Sequence, residues 1–262
     1  MAGLHQATAA LYLAASLAAA LSLVLPSARI GRFAVGLIGA GVALHTVSFL
    51  ALHGSDSPPP LTTLPAAVSL MVWMAVLLYL VLLRRARVAG LAVLLAPAAF
   101  LGVFGAALGF DRNPASGLAP SASWSHVHIL LASGGLGFLA VAGIAGVLYV
   151  VEHRRLKAKR RTLPVPLPSL EALDRVNRLS LGLGFLMLTL GVVTGVLWVR
   201  AASGDLWPGT PHATWTLVAW VIYAVLTTSR FGARQGARES ALSAALGFGF
   251  LLFAVVGVGA LT

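Results

Sequence analysis

Long apolar stretches alternate with short polar ones along the whole chain. Eight stretches approach the roughly twenty residues that a helix needs to cross a bilayer: residues 4–25, 31–52, 63–83, 88–109, 124–151, 179–199, 213–228 and 240–261. They are continuous, without the apolar–polar alternation of a barrel strand, and in lipid only helices or closed barrels satisfy the backbone. The pattern predicts an all-α, polytopic membrane helix bundle of about eight transmembrane helices, forming one domain over residues 1–262. The seventh stretch is the shortest and is interrupted by Thr and Trp.

Charge gives these spans a direction. Lys and Arg crowd into alternate connections, around Arg29, Arg84, the segment 154–178 and Arg230–Arg238. Together those four hold 16 of the 18 basic residues, and only Arg112 and Arg200 fall in the other set. The positive-inside rule makes the first set cytoplasmic and puts both termini outside a bacterial-type cytoplasmic (inner) membrane. The first span is expected to be retained rather than cleaved as a signal, because residues 1–6 contain no Lys or Arg.

Composition narrows the function classes. The chain is 59% hydrophobic and 10% charged, against roughly 25% charged in soluble domains. The net charge of +11 is explained by topology, so it does not call for a nucleic-acid partner. With no Cys, disulfides and thiolate metal sites are excluded. The basic run 153–161 is expected to contact anionic membrane lipid, with an acidic cytosolic partner as the alternative. A Pro-rich turn between Pro164 and Pro168 follows, then Ser169 as the cap of a short amphipathic helix leading to Asp174. The outer loops, 54–60 and 111–123, are too short to be domains.

The ionisable residues of the outer half are the candidate chemistry. Six of the seven His lie there: His5, His45, His53, His126, His128 and His212. His45 lies roughly 12 Å deep in span two, and His128 roughly 6–9 Å deep in span five, at 1.5 Å per residue. Imidazoles at similar depth on different helices are suited to ligate the iron of a b-type haem; the plainer reading is that each bonds a neighbouring helix. His126 diverges from His128 by about 200° on one helix, and it and His212 are the weaker candidates. Trp124, Trp198, Trp207, Trp215 and Trp220 gather on the outer side of spans five to seven, as an aromatic belt or as a platform for a flat apolar ligand. No phosphate loop, paired carboxylates or nucleophile constellation appears, and a catalytic role is not expected.

The run Leu173-Asp-Arg-Val-Asn-Arg-Leu-Ser-Leu-Gly-Leu-Gly-Phe185, then Leu188-Thr-Leu-Gly191, Thr194-Gly195 and Trp198, resembles the cytochrome c assembly protein family, which includes the CcsA, HemX and YpjD proteins. The resemblance continues through Gly204, Trp207, Pro211, Thr214-Trp215 and Trp220, and the size and layout are most similar to the YpjD branch. It implies a haem-handling fold, with His45 and His128 as iron ligands and the tryptophans as cofactor-binding residues. The chain departs from the pattern at Ser203, Gly209, Thr210 and Ala213, where the family has extra Trp and acids. It departs again at Thr227 or Thr228, and at the final span's end, where the family has His.

The expected function is a haem-binding inner-membrane protein linked to cytochrome c biogenesis, holding one haem b per chain. Its expected partners are other biogenesis proteins. The alternatives are a HemX-like regulator of a cytosolic haem-biosynthesis enzyme, and a small-molecule or metal-ion transporter. The charge pattern also makes a direct prediction. A periplasmic reporter fused after Thr262 is active and one inserted in 154–161 is silent; the opposite pattern would reverse the topology.

Overall fold

The computed structural model describes residues 2–25, 27–53, 63–85, 87–110, 123–159, 167–207 and 209–261. These residues form eight α-helices: α1 (Ala2–Val24), α2 (Ala28–His53), α3 (Leu64–Arg85), α4 (Ala92–Phe110), α5 (Ser123–Lys157), α6 (Leu170–Ser203), α7 (Pro211–Phe231) and α8 (Ala237–Leu261). A 3-10 turn, Ala89–Leu91, leads into α4. Each helix falls on one of the eight apolar stretches. Six candidate spans, Gly3–Val24, Ala28–Ala51, Leu64–Arg85, Ala89–Gly109, Ser125–Lys157 and Leu170–Ser203, are long and apolar enough to cross a membrane. On their described residues, α7 and α8 are not among them. In α7 the Thr and Trp side chains dilute the apolar run. The protein is a multi-pass membrane protein.

One expectation is corrected. The short amphipathic helix after Ser169 does not exist as a separate element. It is the first two turns of α6, which runs without interruption from Leu170. The Ser169 hydroxyl does act as its cap, accepting a bond from the Ala172 amide at 3.2 Å. The basic run likewise continues α5 as far as Lys157. Residues 160–166, with most of the Pro-rich turn, and the outer loops 54–60 and 111–122 lie outside the described residues.

The chain divides into two compact units. The first comprises Met1–Gly117 and Val151–Leu173 and contains α1 to α4. Its helices approach closely where glycine faces a ring or a branched chain. A Cβ on Gly41 of α2 would come within 2.7 Å of the Tyr12 ring of α1, and one on Gly102 of α4 within 2.5 Å of Val72 of α3. Two polar side chains inside this unit bond to neighbouring elements. Trp73 donates to the Thr46 hydroxyl at 2.9 Å, and Tyr79 to the Ala89 carbonyl at 3.2 Å.

The second unit comprises Leu118–Val150 and Asp174–Thr262. Its α5 and α6 meet along a seam that alternates steps of four and three. A Cβ on Gly135 would lie 2.6 Å from the Leu188 backbone, one on Gly184 2.9 Å from Leu139, and one on Gly191 3.0 Å from the Ala132 backbone. In lipid no hydrophobic drive pushes helices together, so van der Waals contact through small residues supplies the association. The opposite face of α6, with Leu179, Leu183, Leu186, Leu190, Val193 and Leu197, is exposed and suits contact with acyl chains. Gly143 and Gly146 bring α5 equally close to Phe248 and Ala241 of α8.

A polar clamp ties three helices at the other end of the seam. The buried Asn177 of α6 donates to the Ala142 carbonyl of α5 at 2.9 Å and accepts from the Ser240 hydroxyl of α8 at 3.2 Å. Nearby, Arg230 at the end of α7 pairs with Asp174 at 2.6 Å and also donates to the Gln235 carbonyl. Replacing Asn177 by Ala removes both clamp bonds and leaves the Ser240 hydroxyl without its acceptor. We expect Asn177→Ala to lower resistance to SDS unfolding by roughly 0.6–1.7 kcal/mol, and Arg178→Ala, on an exposed face, to lower it less.

Candidate functional site

The α5–α6 seam positions His128 in the second unit. At its upper end His128 of α5 lies against α6, and its Nδ1 is 2.7 Å from the Gly191 carbonyl oxygen. A carbonyl can only accept, so Nδ1 carries the proton and donates. In the neutral ring the lone pair is then on Nε2, the form that binds a metal. The fit needs Gly195, because a Cβ there would stand 2.9 Å from Nδ1 and Cε1 of the imidazole. The Gly191 carbonyl serves a second donor as well, the Thr194 hydroxyl at 3.0 Å. Trp198, one turn on from Thr194, has its ring centre 5.9 Å from that of His128, tilted by 35°. Its indole nitrogen is buried and makes no hydrogen bond among the described residues. A ring nitrogen prepared by a carbonyl partner and an unused N–H donor beside it fit an iron-bound macrocycle with acceptor groups at its edge.

The other sequence candidates in this unit do different things. His126 is exposed on α5 and is not the imidazole on α6. Trp220 is held by α6, donating to the Thr189 hydroxyl at 3.0 Å and stacking with Phe185 at 6.1 Å. Trp215 packs on Phe250 and Phe253 of α8. Trp207 is exposed in the α6–α7 connection. The side chains of Trp124 and His212 lie outside the described residues. Among the described residues, then, the tryptophan beside His128 is Trp198. The departures at Gly209 and Thr210 have a local explanation. Gly209 adopts φ +65°, and the Thr210 hydroxyl caps α7 by accepting from the Ala213 amide at 3.3 Å.

His45 lies in the first unit, fully buried on α2. Its Nε2 is 2.8 Å from the Ser69 hydroxyl of α3, and its Nδ1 has no hydrogen-bond partner among the described residues. Phe49, one turn on, stacks on the ring at 5.0 Å and 11°. His5 and Tyr12 of α1 approach it edge-on, with ring centres at 5.8 Å and 6.1 Å. Depth along the chain pointed to His45 but not to these neighbours. The available signal was facial. His5, Thr8 and Tyr12 recur at steps of three and four on α1, and so do Gly41, His45 and Ser48 on α2. Among the described residues, no three His, Cys, Asp or Glu side chains are grouped to hold a metal ion.

A helical bundle that buries imidazoles at its helix contacts defines a class of polytopic membrane proteins that present His side chains inside the membrane region. The comparison with known proteins gives the family. The family model described as "Cytochrome C assembly protein" matches residues 61–262, and the chain belongs to that family. The match includes His128 and the five candidate tryptophans, while His5 and His45 precede it. Cytochrome c biogenesis proteins CcsA are among the relatives. That of Prochlorococcus marinus is 34% identical over 101 residues, 38% of this chain and 32% of that protein. That of Thermosynechococcus vestitus is 35% identical over 91 residues, 35% and 28% of the two chains. That of a Synechocystis species is 31% identical over 121 residues, 46% and 36%. These matches therefore span about a third of each relative's length.

The geometry predicts the effect of filling the space over His128. Gly195→Ala places a methyl group against the ring and should break the bond to the Gly191 carbonyl. In 15N-histidine-labelled protein in detergent, the downfield Nδ1 proton of a hydrogen-bonded imidazole is expected to disappear in Gly195→Ala. It should persist in Gly105→Ala, where a Cβ meets nothing within 4 Å.

Proposed function

We propose that the protein is a haem-binding component of cytochrome c biogenesis in a bacterial cytoplasmic membrane, a module that binds and delivers rather than catalyses, and that His128 ligates the iron. The observation that carries this reading is the bond from His128 Nδ1 to the Gly191 carbonyl, inside the stretch that matches the family. It fixes the tautomer in which Nε2 is the donor atom to iron. Trp198 offers its unused N–H to an acceptor on the same ligand. Haem, the cargo in this reading, is the redox-active group that a c-type cytochrome receives. The residues of this chain hold it, orient it and keep water from it. The role named for the CcsA relatives, cytochrome c biogenesis, supports the same reading.

His45, expected as the second axial ligand, is not carried into this proposal. It is fully buried in a cluster with its own second imidazole and precedes the family match. A HemX-like regulatory role for a cytosolic haem-biosynthesis enzyme is the second reading. It is favoured by the exchange of the family's outer Trp and acidic positions for Gly209, Thr210 and Ala213.

Protein purified in detergent from haem-replete cells is expected to show a Soret band. His128→Ala should reduce haem occupancy at least about tenfold, whereas His45→Ala should leave most of it. No Soret band, and no saturable band with added hemin that depends on His128, would remove the haem reading and leave the regulator. Equal loss in His45→Ala and His128→Ala would instead restore the pair expected from sequence.

A further inference from the structure

The first unit contains a group of polar side chains that the haem reading does not use. His5 and His45 are both buried, at 1% and 0% exposure, with ring centres 5.8 Å apart and planes at 80°. The Tyr12 hydroxyl is buried with no hydrogen-bond partner among the described residues, and so is His45 Nδ1. Buried polar atoms of this kind are uncommon in folded proteins and call for a reason.

We propose that His5, His45 and Tyr12 form a binding site for one late first-row transition-metal ion between α1 and α2, separate from the haem site. The spacing supports it. An imidazole nitrogen binds such an ion at about 2.0 Å, which puts two ring centres roughly 5 Å apart at a tetrahedral angle and roughly 6 Å apart when opposed. The observed 5.8 Å lies in that interval. The hydrogen bonding supports it too. When His45 Nδ1 gives its lone pair to a metal, Nε2 carries the proton and donates to Ser69 Oγ, the 2.8 Å contact already present. Ligating histidines are characteristically anchored in this way through the other ring nitrogen.

The donor set also restricts the occupant. Imidazole suits Zn, Cu, Fe and Ni, and copper binds most tightly in the general order of affinities. The Tyr12 ring centre is 6.1 Å from that of His45, and its phenol supplies the third donor, losing its proton as the metal enters. Aromatic rings pack around these donors. Phe49 stacks on His45 at 5.0 Å and meets His5 at 6.1 Å, and Tyr12 closes against the same ring. Gly41 makes that closure possible, since a Cβ there would collide with the Tyr12 ring.

The test is a titration of the full-length, metal-stripped protein in detergent with Cu(II) and, separately, Zn(II). The expected result is one ion per chain. Bound Cu(II) should show superhyperfine coupling to two nitrogens in its electron paramagnetic resonance spectrum and a phenolate-to-copper charge-transfer band in the visible. His5→Ala or His45→Ala should weaken binding at least tenfold, and Ser69→Ala about tenfold. His128→Ala should leave copper binding unchanged, which separates this site from the haem reading. Tyr12→Phe keeps the ring and removes one oxygen, so it tests the site even where the histidine variants fail to fold; the visible band should vanish. No saturable binding, binding unaltered by loss of His5, or a band retained in Tyr12→Phe would overturn the proposal, and the cluster would then be an internally bonded packing contact.

Discussion

Much of what this protein presents to chemistry depends on one contact, the hydrogen bond from His128 Nδ1 to the Gly191 carbonyl at 2.7 Å. It requires an imidazole to reach the main chain of a neighbouring helix, and helices reach each other that closely only where side chains are nearly absent. Gly135, Gly184, Gly191 and Gly195 meet that condition along a single line. The bond satisfies a polar ring inside an apolar medium, orients it, and determines which nitrogen is left to act. Trp198 beside it and Thr194, which shares the same carbonyl, follow from that placement.

The family's characteristic run acquires a physical meaning from the second unit. Asp174 pairs with Arg230, and Asn177 joins α5 to α8. Gly191, Gly195 and Trp198 surround the imidazole. The residues that carry the resemblance are thus those that hold α6 to its neighbours in this unit and shape the surroundings of His128. The family match begins at residue 61, so α1 and α2 form a part of the chain whose polar cluster needs its own explanation.

The eight helices were legible in the sequence because a bilayer demands an unbroken apolar run for each, and nothing local competes with that signal. The ends of α5 and α6 were less legible. Charged residues mark where a helix leaves lipid, not where it stops being a helix, so the basic segment after Glu152 read as loop and the residues after Ser169 as a short helix of their own. Of the site, depth could be counted from a span's end, which singled out His45 and His128. Facing could not be counted in that way. That His5 and Tyr12 border His45, or that Trp220 is engaged by Thr189, depends on the rotation of each helix about its axis. The small residues of the α5–α6 seam were visible as glycines, but their shared purpose appears only when both helices are set side by side.

The seam also has a mechanical consequence. Helices in backbone contact through interlocked glycines cannot slide continuously past one another, because any intermediate offset drives a side chain into main chain. From His128 at one end to the Asn177–Ala142 bond at the other, α5 and α6 behave as a single stiff lever. At that far end the Ser240–Asn177 bond joins α8 to the same lever.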